Sequence, residues 1–250
     1  MLENRIAPPV AAEQSIQAVI FDMDGTLVDS EHTSYLADHL VMGALGIPFT
    51  EEEKRRFVGR STLDTMRDLV RRHGLALPPE VLAARKETLY MELAKRESKA
   101  FPAMRRFLAY LLEYQVPVAL ASGSTSVAIP LVLKAAGLDA LLPLRVSADE
   151  VAKGKPAPDV FLETARRLEV APAACLVVED SVVGVEAALA ARMRCIAVPS
   201  VTDLPLPSVF AQADLLFPKG MASFDPLRCW AWVAERLDES LLLQEECRSA

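Results

Sequence analysis

Short, continuous apolar runs recur along the chain at Ala18–Phe21, Val116–Ala121, Cys175–Val178 and Cys195–Val198, with comparable runs at Leu144–Val146 and Ala213–Phe217 that Arg145 and Asp214 interrupt. Runs that are apolar at every position, rather than at every second one, suit strands covered on both faces, as in a parallel sheet. Between most of them the apolar residues return at helical spacing, over Ser126–Ala136, Pro158–Leu168 and Val182–Ala191, and again from about Asp225 to Leu237. Strand and helix in alternation predict an α/β fold, a doubly wound parallel sheet with right-handed crossovers and helices on both faces.

The rhythm breaks between the first and second runs. From His32 to Lys99 no convincing strand pattern occurs; helical periodicity covers Thr33–Leu45, Glu51–Phe57, Thr62–His73 and Pro79–Glu97, broken at Gly46-Ile47-Pro48 and from Gly74 to Pro78. An insertion of this size is too long for a loop and predicts an α-helical cap domain over residues 33–100, set into a core domain built from 15–32 and 101–238. Residues 1–14, with Pro8 and Pro9, and 239–250 are expected to be terminal tails. Because the insertion leaves from the end of the first strand, it can cover the edge where open α/β sheets bind ligands.

Composition narrows the function classes. The 250 residues are 52% apolar and 24% charged, the balance of a globular chain that builds its core without staples. A formal charge of −7 repels a polyanion, so no nucleic-acid partner is expected, while a local cationic patch can still hold a small anion. Cys175, Cys195, Cys229 and Cys247 form neither a CxxC pair nor a metal-ligand spacing, which suits a reducing, cytoplasmic setting. No apolar run approaches the length of a membrane span, so no membrane partner is expected; the oligomeric state is left open, and a monomer is compatible with the sequence.

Candidate chemistry sits at the ends of the apolar runs. Asp22 and Asp24 follow the first run directly, with Gly25 allowing a sharp turn. Glu179-Asp180 follow Leu176-Val177-Val178, Ser122 follows Val116–Ala121, and Lys155 lies in Gly154-Lys155-Pro156-Ala157-Pro158-Asp159. A lone DxD also occurs in caps and acidic loops, and Glu179-Asp180 could simply cap the helix that follows. The whole string FDMDGTLVDSE behind an apolar strand is far more specific.

In these four places the chain resembles the haloacid dehalogenase superfamily: Asp22-Met23-Asp24-Gly25-Thr26 is similar to its first signature, Ser122 to the second, Lys155 to the third and Glu179-Asp180 to the fourth. The resemblance runs from Ala18 to Val198 and points to the group with a helical cap after the first strand, which includes phosphoglycolate phosphatase and β-phosphoglucomutase. It implies that Asp22 is the nucleophile and Asp24 the general acid and base. Ser122, the Gly123 N–H and Lys155 would hold the phosphoryl group. Mg²⁺ would be bound by Asp22, the Asp24 carbonyl and Asp180, with Glu179 reaching it directly or through water. The residue types support this separately, since four carboxylates gathered at one sheet edge require a cation, and an all-oxygen set suits a hard one.

The activity implied is hydrolysis of a small phosphomonoester, a sugar phosphate or a similar phosphorylated metabolite. Asp24 argues against dehalogenation, which needs no acid for a leaving oxygen. A sugar phosphomutase of the β-phosphoglucomutase type is the alternative, but Ser34 stands where that branch has His, and Thr62 stands near its cap arginine. In the cap loop Val58-Gly59-Arg60-Ser61-Thr62, Arg60 and Ser61 are the candidate substrate contacts, whereas Lys54, Arg55 and Arg56 read as a solvated helix face. A catalytically inactive binding module is the alternative from another class, against which the intact signature set argues. Arg192 replaces a Gly usual in relatives; in a left-handed conformation it would carry strain on the order of 1 kcal/mol.

Overall fold

The computed structural model describes residues 15–58 and 60–238. Its strands are β1 (Ala18–Phe21), β2 (Val28–Asp29), β3 (Lys99–Ala100), β4 (Val118–Ser122), β5 (Arg145–Ser147), β6 (Cys175–Glu179), β7 (Arg194–Ala197) and β8 (Leu215–Leu216). Its α-helices are α1 (Glu31–Gly43), α2 (Glu51–Arg55), α3 (Thr62–His73), α4 (Pro79–Glu97), α5 (Pro102–Glu113), α6 (Ala128–Ala135), α7 (Asp159–Leu168), α8 (Val182–Ala190) and α9 (Pro226–Ala234). Among the described residues no helix is long and apolar enough to cross a membrane.

Six strands pair in parallel in the order β5-β4-β1-β6-β7-β8. Side chains alternate between two cores, as a period of two requires. Val19, Phe21, Leu120, Leu176, Val178 and Ile196 face a layer that includes Phe107 and Leu111 of α5, Val132 and Leu133 of α6, and Val233 of α9. Ala18, Ile20, Ala121, Val177 and Cys195 face Phe161 of α7 with Val185 and Ala188 of α8. The three layers cover β1, β4 and β6 on both faces, which is why their runs read as continuous. The chain winds outward from β1 through β4 to β5, then returns to β6 on the other side of β1. The carboxyl ends of β4, β1 and β6 thus lie together at the switch point, where a crevice forms.

The predicted helical insertion forms as α1 to α4, with an apolar cluster of its own around Val41, Met42, Phe49, Phe57, Met66, Leu69 and Leu82. Local signals set its ends: a capping box of Thr50 and Glu53 starts α2, Ser61 caps α3, and Gly74 at φ 61° closes α3. The insertion departs and returns beside a small antiparallel pair, Val28 with Ala100 and Asp29 with Lys99, separate from the main sheet. This two-residue strand at Lys99–Ala100 was not expected within 33–100. Helix α1 begins at Glu31, ahead of the expected Thr33, and α5 was not among the expected elements. The cap role considered for Glu179-Asp180 belongs instead to Ser181, whose hydroxyl accepts from Gly184 N. Arg192 does take a left-handed conformation, φ 58°.

Candidate active site

The turn after β1 carries Asp22 and Asp24 to the switch point. Gly25, at φ 83°, makes that turn and also clears room for a neighbour: a Cβ there would lie 2.3 Å from Asp180 Oδ2. Asp22 is buried, and Lys155 Nζ donates to its Oδ1 at 2.5 Å. The same ammonium donates to Glu179 Oε1 at 2.6 Å and rests 4.9 Å from the centre of the Phe161 ring. Burial disfavours a charged lysine, yet the two carboxylates outweigh it and hold Lys155 above its ordinary value.

Carboxylate oxygens of Asp22, Glu179 and Asp180 lie within 4.8 Å of one another. Burial pushes the Asp22 carboxyl well up despite Lys155, and burial followed by repulsion from Glu179 and Asp22 does the same to Asp180. One lysine does not neutralise three acids. Asp180 Oδ1 accepts from Thr26 Oγ1 at 3.3 Å, while Oδ2 is buried with no hydrogen-bond partner among the described residues. A surplus of buried negative charge, an orphan carboxylate oxygen and an all-oxygen donor set fit a hard divalent cation. Glu179 is differently placed from the other two. Both its oxygens are taken by protein donors, Oε1 by Lys155 and Oε2 by Asp180 N and Ser181 N at 2.8 Å each and by Ser181 Oγ at 3.0 Å. Its geometry is that of a clamp on Lys155 more than of an open ligand.

Asp24 sits at the boundary of sheet and insertion. Ser30 Oγ and Tyr90 OH donate to its Oδ1 at 2.5 and 2.9 Å, and Ser124 Oγ donates to Oδ2 at 2.7 Å. Tyr90 lies on α4, so the insertion touches the second aspartate directly; burial and the Asp24 charge push its phenol well up, keeping it a donor. Ser122 is fully buried, its Oγ accepting from Ser124 N at 3.0 Å, and Gly123 and Ser124 line the cavity above.

That cavity, about 60 Å³, is bounded by Asp22, Asp24, Gly123 and Ser124 below, and by Glu31, Ser34, Asp38, Lys54, Arg60, Thr62, Lys86 and Tyr90 of the insertion above. The structure therefore brings together Asp22, Asp24, Ser122, Gly123, Lys155, Glu179 and Asp180. Arg60 reaches only the exposed rim, and Ser61 is spent on α3, donating to Asp64 Oδ2 at 2.7 Å and accepting from Asp64 N. Lys54, read as solvated, instead turns inward. Ser30, Tyr90, Ser124, Asp38 and Lys54 were missed as site residues; only Ser124, two places beyond Ser122, and Ser30, inside the FDMDGTLVDSE string, carried a signal in the sequence.

A doubly wound sheet with this acidic switch point, interrupted after β1 by helices, defines a class that comparison with known proteins identifies. The haloacid dehalogenase-like hydrolase profile matches residues 16–192, and the chain belongs to that family. It is 35% identical over 185 residues, 73% of its length, to the bifunctional riboflavin kinase/FMN phosphatase of Arabidopsis thaliana, and spans about half (48%) of that protein. It is 34% identical over 197 residues to hexitol phosphatase B of Escherichia coli, covering 76% of this chain and 87% of that one. Among solved structures, CbbY from Rhodobacter sphaeroides in complex with phosphate superposes with a TM-score of 0.74 at 25% identity, over 83% of this chain and 95% of that one.

Proposed function

We propose that the protein is a magnesium-dependent phosphatase that hydrolyses a small phosphomonoester through an aspartyl-phosphate on Asp22. The observation that carries this reading is the Lys155 ammonium bridging Asp22 and Glu179 beside the orphan oxygen of Asp180. It describes a nucleophile fixed next to a cationic phosphate contact and a carboxylate oxygen that no protein donor takes. The phosphatase names of relatives matched over most of the chain support it.

In this reading an Asp22 oxygen attacks phosphorus and the ester P–O bond breaks. Asp24 gives a proton to the leaving oxygen and then takes one from the water that attacks the aspartyl-phosphate, releasing phosphate and restoring Asp22. Ser122, the Gly123 N–H and Lys155 receive the phosphoryl oxygens, and Glu179 keeps Lys155 in position. Asp22, Asp180 and the Asp24 carbonyl would hold Mg²⁺, which supplies neutralising charge to the phosphoryl oxygens. Residues 33–100 act as a cap, and the Tyr90 contact to Asp24 ties the acid to the cap's position. Buried, free Cys175, Cys195 and Cys229 support the reading of a reducing, cytoplasmic setting.

Ser34, bonded to Lys54 at the place of the mutase His, favours hydrolysis over isomerisation. The test is release of phosphate from p-nitrophenyl phosphate and a panel of small phosphate esters, with and without Mg²⁺. No turnover on any of them would overturn the reading; conversion of β-glucose 1-phosphate to the 6-phosphate would replace it with the mutase.

A further inference from the structure

Two side chains on one face of α4 leave the insertion and fasten to two different turns of the core. Tyr90 OH donates to Asp24 Oδ1 at 2.9 Å, in the turn after β1. One helical turn earlier, Glu87 Oε1 accepts from Thr125 Oγ1 at 2.5 Å, in the turn after β4. Residues three apart on a helix share a face, so both contacts form or break together as α4 meets or leaves the core. The two turns are also joined to each other, since Ser124, beside Thr125 in the chain, donates from Oγ to Asp24 Oδ2 at 2.7 Å. The result is a closed ring from Tyr90 to Asp24, to Ser124-Thr125, to Glu87 and back along α4. It passes through the candidate acid and through the turn that carries Ser122 and Gly123.

Each half of the ring bears on a different end of the ester. Asp24 serves the leaving oxygen; Ser30 Oγ and Ser124 Oγ hold its carboxylate from the core, and among the described residues Tyr90 is its one donor from the insertion. The turn after β4 serves the phosphoryl oxygens. On the β5 side it is anchored by Ser126 N and Oγ, which donate to Asp149 Oδ2 at 3.0 Å each, and by Ser147 Oγ, which donates to Ser124 O at 2.6 Å. Glu87 anchors it from the insertion. Neither polar group is needed to seat α4, because the buried ring of Tyr90, with Ala94, already joins the apolar layer of the core.

We propose that Tyr90 and Glu87 are positioning residues that make phosphoryl transfer conditional on the seating of the insertion. Tyr90 fixes the Asp24 carboxyl toward the leaving oxygen, and Glu87, through Thr125, fixes the turn that receives the phosphoryl group. The inference rests on the phosphatase reading and assigns two further residues to that same site. With α4 withdrawn, Asp24 keeps only its core donors and the turn after β4 loses its outer anchor. Binding energy spent on seating the insertion thereby completes both ends of the site at once.

The experiment compares kcat/KM with Mg²⁺ for p-nitrophenyl phosphate and benzyl phosphate, esters of similar size with unlike leaving groups. p-Nitrophenolate departs as the anion, whereas the benzyl oxygen needs a proton as its bond to phosphorus breaks. Tyr90→Phe keeps the ring and removes one bond to Asp24. It is expected to lower kcat/KM for benzyl phosphate about tenfold further than for p-nitrophenyl phosphate. Glu87→Ala acts on the phosphoryl end and is expected to lower both esters alike, about two- to tenfold, with inhibition by orthovanadate weakened by a similar factor. Glu87→Gln, which keeps an oxygen for Thr125, is expected to restore all three. A merely structural loosening by Tyr90→Phe would lower both esters alike. That outcome, native rates in either Tyr90→Phe or Glu87→Ala, or a Glu87→Gln protein that behaves as Glu87→Ala does, would overturn the proposal. Absence of turnover of both esters by the native protein would instead overturn the phosphatase reading, and the proposal with it.

Discussion

Gly184→Ala adds one methyl group at a point where the site has no slack. Gly184 lies in the first turn of α8, and a Cβ there would sit 1.8 Å from Glu179 Oε1, 1.9 Å from its Cδ and 2.3 Å from Oε2. The carboxylate cannot step aside freely, since four protein donors pin it: Lys155, Asp180 N, Ser181 N and Ser181 Oγ. Either α8 shifts or Glu179 swings out, releasing Lys155 and leaving two buried backbone N–H groups without their acceptor. Overpacking costs about 1–3 kcal/mol, and each buried polar group left unpaired about 1–3 kcal/mol. Higher helix propensity returns about 1 kcal/mol. A net loss of about 3–5 kcal/mol is expected, which for a chain of this size lowers Tm by roughly 6–20 °C. Urea denaturation and thermal melts measure it, with kcat expected to fall as Lys155 loses its clamp. The matched control is Gly43→Ala, where nothing lies within 4 Å of the added Cβ, and the expected change is neutral to slightly stabilising. A Gly184→Ala protein melting within about 2 °C of the native one, with native kcat, would refute the claim that Glu179 is clamped.

Asp22→Asn should abolish turnover while the protein still melts cooperatively; near-native activity would eliminate the aspartyl-phosphate route. Asp24→Asn should slow kcat by about 10²–10⁴-fold, and a smaller effect would move the acid to another group. Adding Mg²⁺ at about 100 times its Kd should raise stability by about 2.7 kcal/mol, read as a thermal shift that Asp180→Asn removes. Because burial raises the Asp22 and Asp180 carboxyls, the metal-free fold holds protons that the unfolded chain has released above the ordinary carboxylate value of 3.8. Metal-free stability should therefore fall as pH climbs through that window, and the Mg²⁺ shift should grow with it. Arg192→Gly should stabilise the protein by up to about 1 kcal/mol by relieving its left-handed backbone, and a clear loss in urea denaturation would show that the arginine side chain packs usefully.

What the sequence could disclose depended on how each residue acts. The sheet strands were legible because both their faces are buried, and their ends carried Asp22, Ser122 and Glu179-Asp180 to one edge by topology alone. Strand ends are fixed by the register of two neighbours on either side, so a residue's place in the string is nearly its place in space. The small β2–β3 pair was not legible, since two-residue strands have no periodicity to read. Ser30 and Ser124 were passed over because hydroxyls of their kind are common; what marks them is three donors converging on Asp24, a fact of tertiary structure.

The insertion obeyed the opposite logic. Helical spacing says which residues share a face, but not which face meets the sheet. Lys54, Arg55 and Arg56 are consecutive, so they point about 100° apart around the helix axis, and composition gives no reason to choose among them. In the structure Lys54 turns inward onto Ser34 and Asp38 while Arg55 reaches outward to Asp203. Arg60 drew attention because it adjoins Gly59 in a loop, yet a loop at the rim can only guard an opening, whereas α1 and α2 hold side chains within the cavity itself. Residues at strand ends are thus placed by the sheet, whose apolar runs are legible. Helices that need only pack can turn a single charged pair such as Asp38 and Lys54 inward, and such a pair leaves no signature in the spacing.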